Sequence, residues 1–167
     1  MAELKYFSGY PEQLTQQVQQ AIAEQRLGAL LLKRYPQPHQ ITTDRALYDF
    51  TLEIKNRYLR KSNPLSKVVY DKKANMVHEA LGTHSFVSRV QGNRLKASNE
   101  IRVDVVLKTA PLELLRMIVV HELAHLKEKQ HNKAFYKLCE HMEPDYLRLE
   151  FDLRLYLTHL DLFGPLY

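Results

Sequence analysis

The sequence contains a single cysteine, Cys139, and no tryptophan. One cysteine cannot form an internal disulfide, and it cannot supply the CxxC pairs of a zinc ribbon. No apolar run approaches the roughly 20 residues that a helix needs to span a bilayer. The first residues lack the charged and apolar regions of a secretory signal, so we expect a cytoplasmic protein without a membrane segment.

Low glycine content and an uneven charge distribution both bear on phosphate recognition. The chain has five glycines and no glycine-rich phosphate loop, so phosphate would be held by side chains and strand ends. Residues 61–110 carry nine Lys/Arg against four Asp/Glu, an excess equal to the +5 of the whole chain. This basicity raises encounter rates with phosphates, nucleotides or nucleic acid, although a solvated basic surface is the simpler interpretation.

The chain is 167 residues long, 45% hydrophobic and 26% charged, which is typical of one globular domain spanning residues 1–167. Apolar residues at helical spacing predict one N-terminal helical element that begins near Pro11 and ends before Pro36. Thr43 is the predicted N-cap of a second helix, which the Ser-Asn-Pro cluster at residues 62–64 closes.

The middle of the chain changes to a period of two, which predicts strands at residues 68–70, 86–90 and 101–105. An apolar helix is predicted from residue 112 to about residue 130, and a shorter helix, capped by Asn132, ends near residue 142. Apolar and charged side chains alternate strictly over residues 147–155, as in a strand. The Pro-Asp pair before this segment and the good helix formers within it favour a helix instead. The predicted class is α+β: N-terminal helices, a small β-sheet, a long apolar helix and C-terminal helices.

The long apolar helix contains the motif His-Glu-x-x-His, formed by His121, Glu122 and His125. Two histidines four residues apart lie on one face of a helix, where both imidazoles can reach one zinc ion. Glu122 follows the first histidine and would lie beside the metal, where its carboxylate can take a proton from bound water. The pattern therefore predicts a metal site with Glu122 as the catalytic base.

A catalytic zinc site usually has three protein ligands, and His131 is the favoured third candidate. It cannot lie on the same helix face, because six helical residues turn through about 600°. The helix must therefore end between Leu126 and His131, where residues 127–130 include no apolar side chain. Alternative third ligands lie in the segment that follows: Glu140, Glu143 and Glu150.

Three stretches around the motif form a distinctive combination. They are Val-Val-His-Glu-Leu-Ala-His-Leu at residues 119–126, His131 with Phe135-Tyr136, and Glu-Pro-Asp-Tyr at residues 143–146. Together they resemble the YgjP-like family of metallopeptidase-like proteins, and the resemblance extends over most of the chain. One stretch departs from many relatives, which have Ser-Arg-Trp-Gly-Ser-Cys-Ser where residues 88–94 read Ser-Arg-Val-Gln-Gly-Asn-Arg.

The resemblance carries expectations about fold and site. It implies a single zincin-like domain with a small sheet beside the HExxH helix. It makes His121, His125 and His131 the metal ligands and Glu122 the catalytic base. It also implies a metal-dependent nucleoside-triphosphate pyrophosphatase activity that releases pyrophosphate from UTP.

Hydrolysis of nucleoside triphosphates is accordingly the favoured function. Water activated by the metal would attack a phosphorus atom, and the metal would neutralise charge on the triphosphate. Four basic residues that precede the metal helix are candidates to hold phosphate oxygens: Arg89, Arg94, Lys96 and Arg102. One divalent ion is expected; three imidazoles fit zinc, while phosphate chemistry often uses manganese, cobalt or magnesium.

Two other functions are alternatives. A zinc endopeptidase could bind an extended peptide along an edge strand at residues 101–107, and HExxH is most often a peptidase signature. A nucleic-acid-associated SprT-like protein fits the net charge of +5, but such proteins commonly carry a cysteine zinc ribbon, which one cysteine cannot build. The expected partner is therefore a small nucleotide or peptide substrate rather than a nucleic acid or a membrane.

Overall fold

The computed structural model of the chain describes residues 4–72 and 99–167. The helices in these ranges are α1 (Glu12–Ala23), α2 (Leu27–Arg34), α3 (Asp44–Tyr58), α4 (Leu112–Ala124), α5 (Lys133–Met142) and α6 (Tyr146–Phe163). The strands are β1 (Lys67–Asp71) and β2 (Glu100–Asp104), and short 3-10 helices occupy Lys5–Phe7 and Val105–Thr109. The predicted α+β class is confirmed, whereas the strand predicted at residues 86–90 lies outside the described residues.

The prediction of one N-terminal helical element is wrong, because the structure divides it into α1 and α2. The break lies at Gln25, whose φ of 56° is in the left-handed region. Its N–H donates to the Ile22 carbonyl at 3.0 Å, and the Arg26 N–H donates to the Ala21 carbonyl at 2.8 Å, which closes a Schellman turn. Glycine usually occupies the left-handed position, so a glutamine there does not mark the helix end in the sequence.

The two strands pair in parallel, with Lys67 of β1 opposite Glu100 of β2. Alternate side chains of both strands are buried, which matches the predicted period of two. The edge strand expected over residues 101–107 is shorter in the structure. The Asp104 carboxylate accepts a hydrogen bond from the Val106 N–H at 3.0 Å, and so a 3-10 turn starts where the strand ends.

Helix α4 lies at the centre of the fold. Every residue from Met117 to Ala124 is buried, and Leu114 and Leu115 are fully enclosed. A helix that is apolar on nearly all sides must be surrounded by protein. Here α3, α5 and α6 pack against it, and β2 contacts it as well.

Two other helix predictions are confirmed. Thr43 caps α3 with its hydroxyl, which accepts a hydrogen bond from the Ala46 N–H at 3.1 Å. Residues 147–155 lie inside α6 despite their alternating pattern, because α6 is buried along most of its length and packing overrides the local period. None of the helices in the described ranges combines the length and apolar character that a membrane crossing requires.

A buried carboxylate connects α6 to the end of α2. Asp152 is fully buried, and its oxygens accept hydrogen bonds from the Tyr35 hydroxyl at 2.5 Å and the Arg34 guanidinium at 2.7 Å. Burial, together with this hydrogen bond, raises the pKa of Tyr35, so the phenol stays protonated as a donor. The contact links the N-terminal helices to the C-terminal helix.

We expect Asp152→Ala to lower the free energy of unfolding by about 2–4 kcal/mol, because Tyr35 loses a buried acceptor and Arg34 loses its ion pair. Urea denaturation followed by circular dichroism measures this change. Asp161→Ala is the matched control on α6, since that carboxylate is 43% exposed and pairs with Lys5. Its effect should stay below about 1 kcal/mol. Equal effects of the two substitutions would contradict the structural role of Asp152.

Candidate metal centre

Helix α4 ends within the motif itself. The sequence predicts a helix to about residue 130, but the structure ends it at Ala124, with His125 as the C-terminal cap. A tight turn follows, in which the N–H groups of Leu126 and Lys127 donate to carbonyls three residues back at 3.0 Å. The helix stops early because residues 127–130 are polar and offer no apolar face that another buried turn could use.

A break before His131 is present as predicted, although the helix ends at Ala124, ahead of the predicted interval between Leu126 and His131. Asn132 caps α5, and its side-chain oxygen accepts a hydrogen bond from the Phe135 N–H at 2.8 Å. His131 is the residue just before this cap, and its ring lies against those of His121 and His125. The cap therefore determines where the chain returns to the end of α4.

The three imidazoles form a compact triangle. Their Nε2 atoms lie 3.2 Å apart for His121 and His125, 3.1 Å for His125 and His131, and 3.2 Å for His131 and His121. Three nitrogens at the corners of a tetrahedron, each about 2.0–2.1 Å from a zinc ion, would lie about 3.3–3.4 Å apart. The observed spacing is close to this value, so one ion can contact all three nitrogens.

The outer ring nitrogens determine the protonation of the inner ones. Nδ1 of His125 lies 2.9 Å from the Glu128 carbonyl oxygen, which can only accept, so this Nδ1 carries the proton. Nδ1 of His121 lies 2.8 Å from the Tyr146 hydroxyl. A neutral imidazole protonated at Nδ1 presents a lone pair at Nε2, and lone pairs that converge repel one another unless a cation lies between them. The donor set therefore fits a divalent metal ion.

Glu122 lies beside the triangle. The residue is 4% exposed, and its Oε2 atom is 4.0 Å from Nε2 of His121. A carboxylate at this position is within reach of a water molecule at the metal centre, as general-base catalysis requires. The geometry is thus compatible with the role that the motif predicts, which stays a prediction.

Three buried residues without an assigned role in the sequence analysis surround the site. The Phe135 ring centroid lies 4.6–4.9 Å from those of all three imidazoles and provides an apolar wall. Tyr146 is fully buried beside His121, and burial raises the pKa of its hydroxyl well above the ordinary value. Cys139 is buried as well, and burial raises the pKa of its thiol to about 12. Phe135 and Tyr146 stand in the stretches that carry the family resemblance, which is the one signal that could have identified them.

The alternative third ligands lie elsewhere. Glu140 is exposed, Glu143 has a carboxylate oxygen 4.0 Å from the Arg116 guanidinium, and Glu150 pairs with Arg154 at 3.6 Å. Across the part of the chain that the structure describes, only the three histidines form a cluster that could hold a metal ion. This arrangement favours His131 among the candidates.

The structure describes one of the four predicted phosphate ligands. Arg102 lies on β2, where its guanidinium contacts the carboxylates of Asp71 at 2.7 Å and Glu100 at 3.1 Å. Contact with a phosphate would require Arg102 to exchange these partners. The other three lie outside the described residues: Arg89, Arg94 and Lys96. The role of all four in phosphate binding stays a prediction.

The histidine cluster and the carboxylate beside it define a candidate metal site of the HExxH type, which is typical of metal-dependent hydrolases. The family profile described as YgjP-like, metallopeptidase domain, matches residues 92–156, which include the motif and His131. The chain is 59% identical over 162 residues to the UTP pyrophosphatase of Escherichia coli (strain K12), a match that covers 97% of each protein. The chain therefore belongs to the YgjP-like family, which confirms the resemblance. No solved structure matches the chain significantly.

We expect His131→Ala to weaken metal binding as strongly as His125→Ala, by more than about 100-fold, because each removes one of three converging nitrogens. Metal content after dialysis against a competing chelator, measured by mass spectrometry, tests this. His141→Ala should retain the metal, since His141 is exposed on α5 and its ring packs against Tyr58. Full metal content in His131→Ala would assign the third position to another residue.

Tyr146→Phe is expected to lower metal affinity about 10–100-fold with the fold retained, because His121 loses the partner that orients its ring. Competition with a fluorescent zinc chelator measures the affinity. Tyr156→Phe is the control, because this buried tyrosine of the same helix donates its hydroxyl to the Thr109 carbonyl at 3.2 Å instead. Equal metal affinity in both variants would show that the Tyr146 hydroxyl does not support the site.

Proposed function

We propose that this chain hydrolyses nucleoside triphosphates, and UTP in particular, to the nucleoside monophosphate and pyrophosphate. The observation that carries the proposal is the triangle of imidazole nitrogens, 3.1–3.2 Å on each side, with the Glu122 carboxylate 4.0 Å away. Such an arrangement is suited to the activation of water. The choice of substrate is supported by the 59% identity to a UTP pyrophosphatase over 97% of the chain.

In the proposed reaction, the oxygen of a water molecule forms a bond to the α-phosphorus. The bond from this phosphorus to the oxygen that bridges to the β-phosphate breaks, and pyrophosphate leaves. Glu122 accepts a proton from the water. His121, His125 and His131 hold a divalent ion that, when bound, supplies Lewis-acid polarisation and neutralises phosphate charge. Tyr146 keeps the His121 ring in the orientation that binding requires.

Zinc is the metal that we propose for the protein. Three neutral imidazoles and an open fourth position are typical of catalytic zinc sites. Manganese, cobalt and magnesium are the alternatives for turnover, because phosphate oxygens are hard ligands. Metal analysis of the purified protein, followed by reconstitution with each ion, separates the bound metal from the active one.

Two further expectations from the sequence stay proposals. We propose that residues 1–167 form one domain, which is supported by the packing of α2 against α6. We also propose a cytoplasmic location, which cell fractionation with immunodetection would test.

A peptide is the second candidate substrate, because the matching family profile is described as a metallopeptidase domain. Zinc endopeptidases bind an extended peptide by pairing it with an edge strand. The predicted edge strand is represented among the described residues by β2 (Glu100–Asp104), which is shorter than the sequence predicts and so offers less edge for such pairing. We therefore place nucleotide hydrolysis first.

Pyrophosphate release from each of the four ribonucleoside triphosphates, assayed with metal-loaded protein, tests the proposal. We expect turnover of UTP, and we expect Glu122→Gln to keep metal and fold but lose about 10²–10⁴-fold in kcat, because an amide cannot accept the proton. Glu140→Gln is the matched control, since Glu140 is exposed on α5, and it should retain full activity.

The same samples are tested with casein and with quenched fluorescent peptides. Peptide cleavage that depends on Glu122, without nucleotide turnover, would reverse the ranking of the two substrates. Nucleotide turnover that survives Glu122→Gln would reject this carboxylate as the base.

A further inference from the structure

A basic groove lies between the C-terminal end of α3 and the turn that follows α4. Its volume is about 500 Å³. Cations line both sides, with Arg57, Arg60 and Lys61 from α3 and the loop after it, and Lys127 from the turn. No acidic residue is among the lining residues in the described part of the chain, so the groove carries four positive charges.

The arginines of this groove differ from the other described arginines in their pairing. Within residues 4–72 and 99–167, seven arginines have a carboxylate oxygen within 4.0 Å: Arg26, Arg34, Arg45, Arg102, Arg116, Arg148 and Arg154. In the same ranges Arg57 and Arg60 have no such carboxylate, and Arg57 lies over the Tyr58 ring, 5.3 Å from its centroid. Two guanidinium groups without an acidic partner in one groove are available to an external anion.

The loop that carries two of these cations is held in place by its own hydrogen bonds. The Ser62 N–H and hydroxyl both donate to the Leu59 carbonyl, at 3.0 and 2.6 Å. Lys55 is 4% exposed, and its Nζ donates to the Ser62 carbonyl at 3.3 Å. The backbone of Arg60 and Lys61 is therefore positioned in advance, which lowers the entropic cost of binding an anion.

The opposite wall of the groove belongs to the turn on which the candidate metal centre depends. Leu126 and Lys127 follow His125 directly, and consecutive Cα atoms are about 3.8 Å apart, so the Cα atoms of Lys127 and His125 lie within about 8 Å. The next residue, Glu128, supplies the carbonyl that accepts from Nδ1 of His125 at 2.9 Å. The groove and the candidate metal centre therefore share the turn that follows α4.

We infer that this groove binds the β- and γ-phosphates of the nucleoside triphosphate, and the pyrophosphate that leaves. The inference rests on the proposed function. Cleavage at the α-phosphorus places that atom at the metal centre, and the two terminal phosphates then need a separate set of cations. Arg57 and Arg60 can each form paired hydrogen bonds with phosphate oxygens, while Lys61 and Lys127 add compact charges.

Binding of inorganic pyrophosphate to the full-length, metal-loaded protein, measured by isothermal titration calorimetry, tests the inference without turnover. We expect the double substitution Arg57→Ala/Arg60→Ala to weaken this binding about 100-fold and Lys127→Ala to weaken it about 10-fold. Arg45→Ala is the matched control on α3, since its side chain is 85% exposed and pairs with Asp49 at 3.3 Å. It should bind pyrophosphate like the unmodified protein.

Steady-state kinetics with UTP give a second readout. The double substitution should raise KM about 10–100-fold and leave kcat within about 3-fold, because groove contacts hold the substrate and the transition state alike. Thermal melting verifies that the variants are folded, and Lys127→Ala tests the opposite wall independently.

The outcomes separate the groove from the proposed function. Unchanged pyrophosphate affinity in the double variant overturns the inference, even where UTP is hydrolysed. Pyrophosphate binding that depends on Arg57 and Arg60, in a protein that hydrolyses no nucleotide, supports the groove and rejects only the proposed function. A single-stranded oligonucleotide that binds more tightly than pyrophosphate through the same arginines assigns the groove to nucleic acid and overturns the inference.

Discussion

Burial of helix α4 on nearly all sides is the constraint on which the rest of the structure depends. An enclosed helix cannot rotate or slide without exposing apolar surface or overlapping its neighbours. His121 and Glu122 lie at its buried end and are therefore held at a fixed position relative to α6. The helix stops at Ala124, where its run of buried residues ends, and the turn that follows carries the next imidazole. The position of the metal centre is thus a consequence of where the core ends.

Each element around this end of α4 orients a different part of the site. The Tyr146 hydroxyl, from α6, contacts the outer nitrogen of His121, and the Glu128 carbonyl contacts that of His125. The third ring stands just before the Asn132 cap, so the start of α5 determines its approach. Because the contacts come from separate elements, the triangle of nitrogens depends on the packing of the whole C-terminal half rather than on the motif alone.

Much of this site follows from local sequence, because the motif, the polar stretch after it and the Asn132 cap all act within one or two helical turns. The same local rules predict strands where β1 and β2 lie. They do not predict the break at Gln25, because that residue takes a conformation that glycine usually supplies. Tyr146 and the groove around Arg57 could not be derived from spacing either, since tertiary packing brings distant segments together there.

All three side chains of the proposed coordination sphere are neutral. A divalent cation held by imidazoles alone keeps its full charge. Glu122 is the one carboxylate of the motif, and it lies close enough to offset part of that charge. The electrostatic potential at the centre then stays positive, in contrast to sites that bind their cation through several carboxylates. Such a potential favours polyanions over neutral molecules before any specific contact forms. Its range is set by the ionic atmosphere, with a Debye length of about 8 Å at physiological salt.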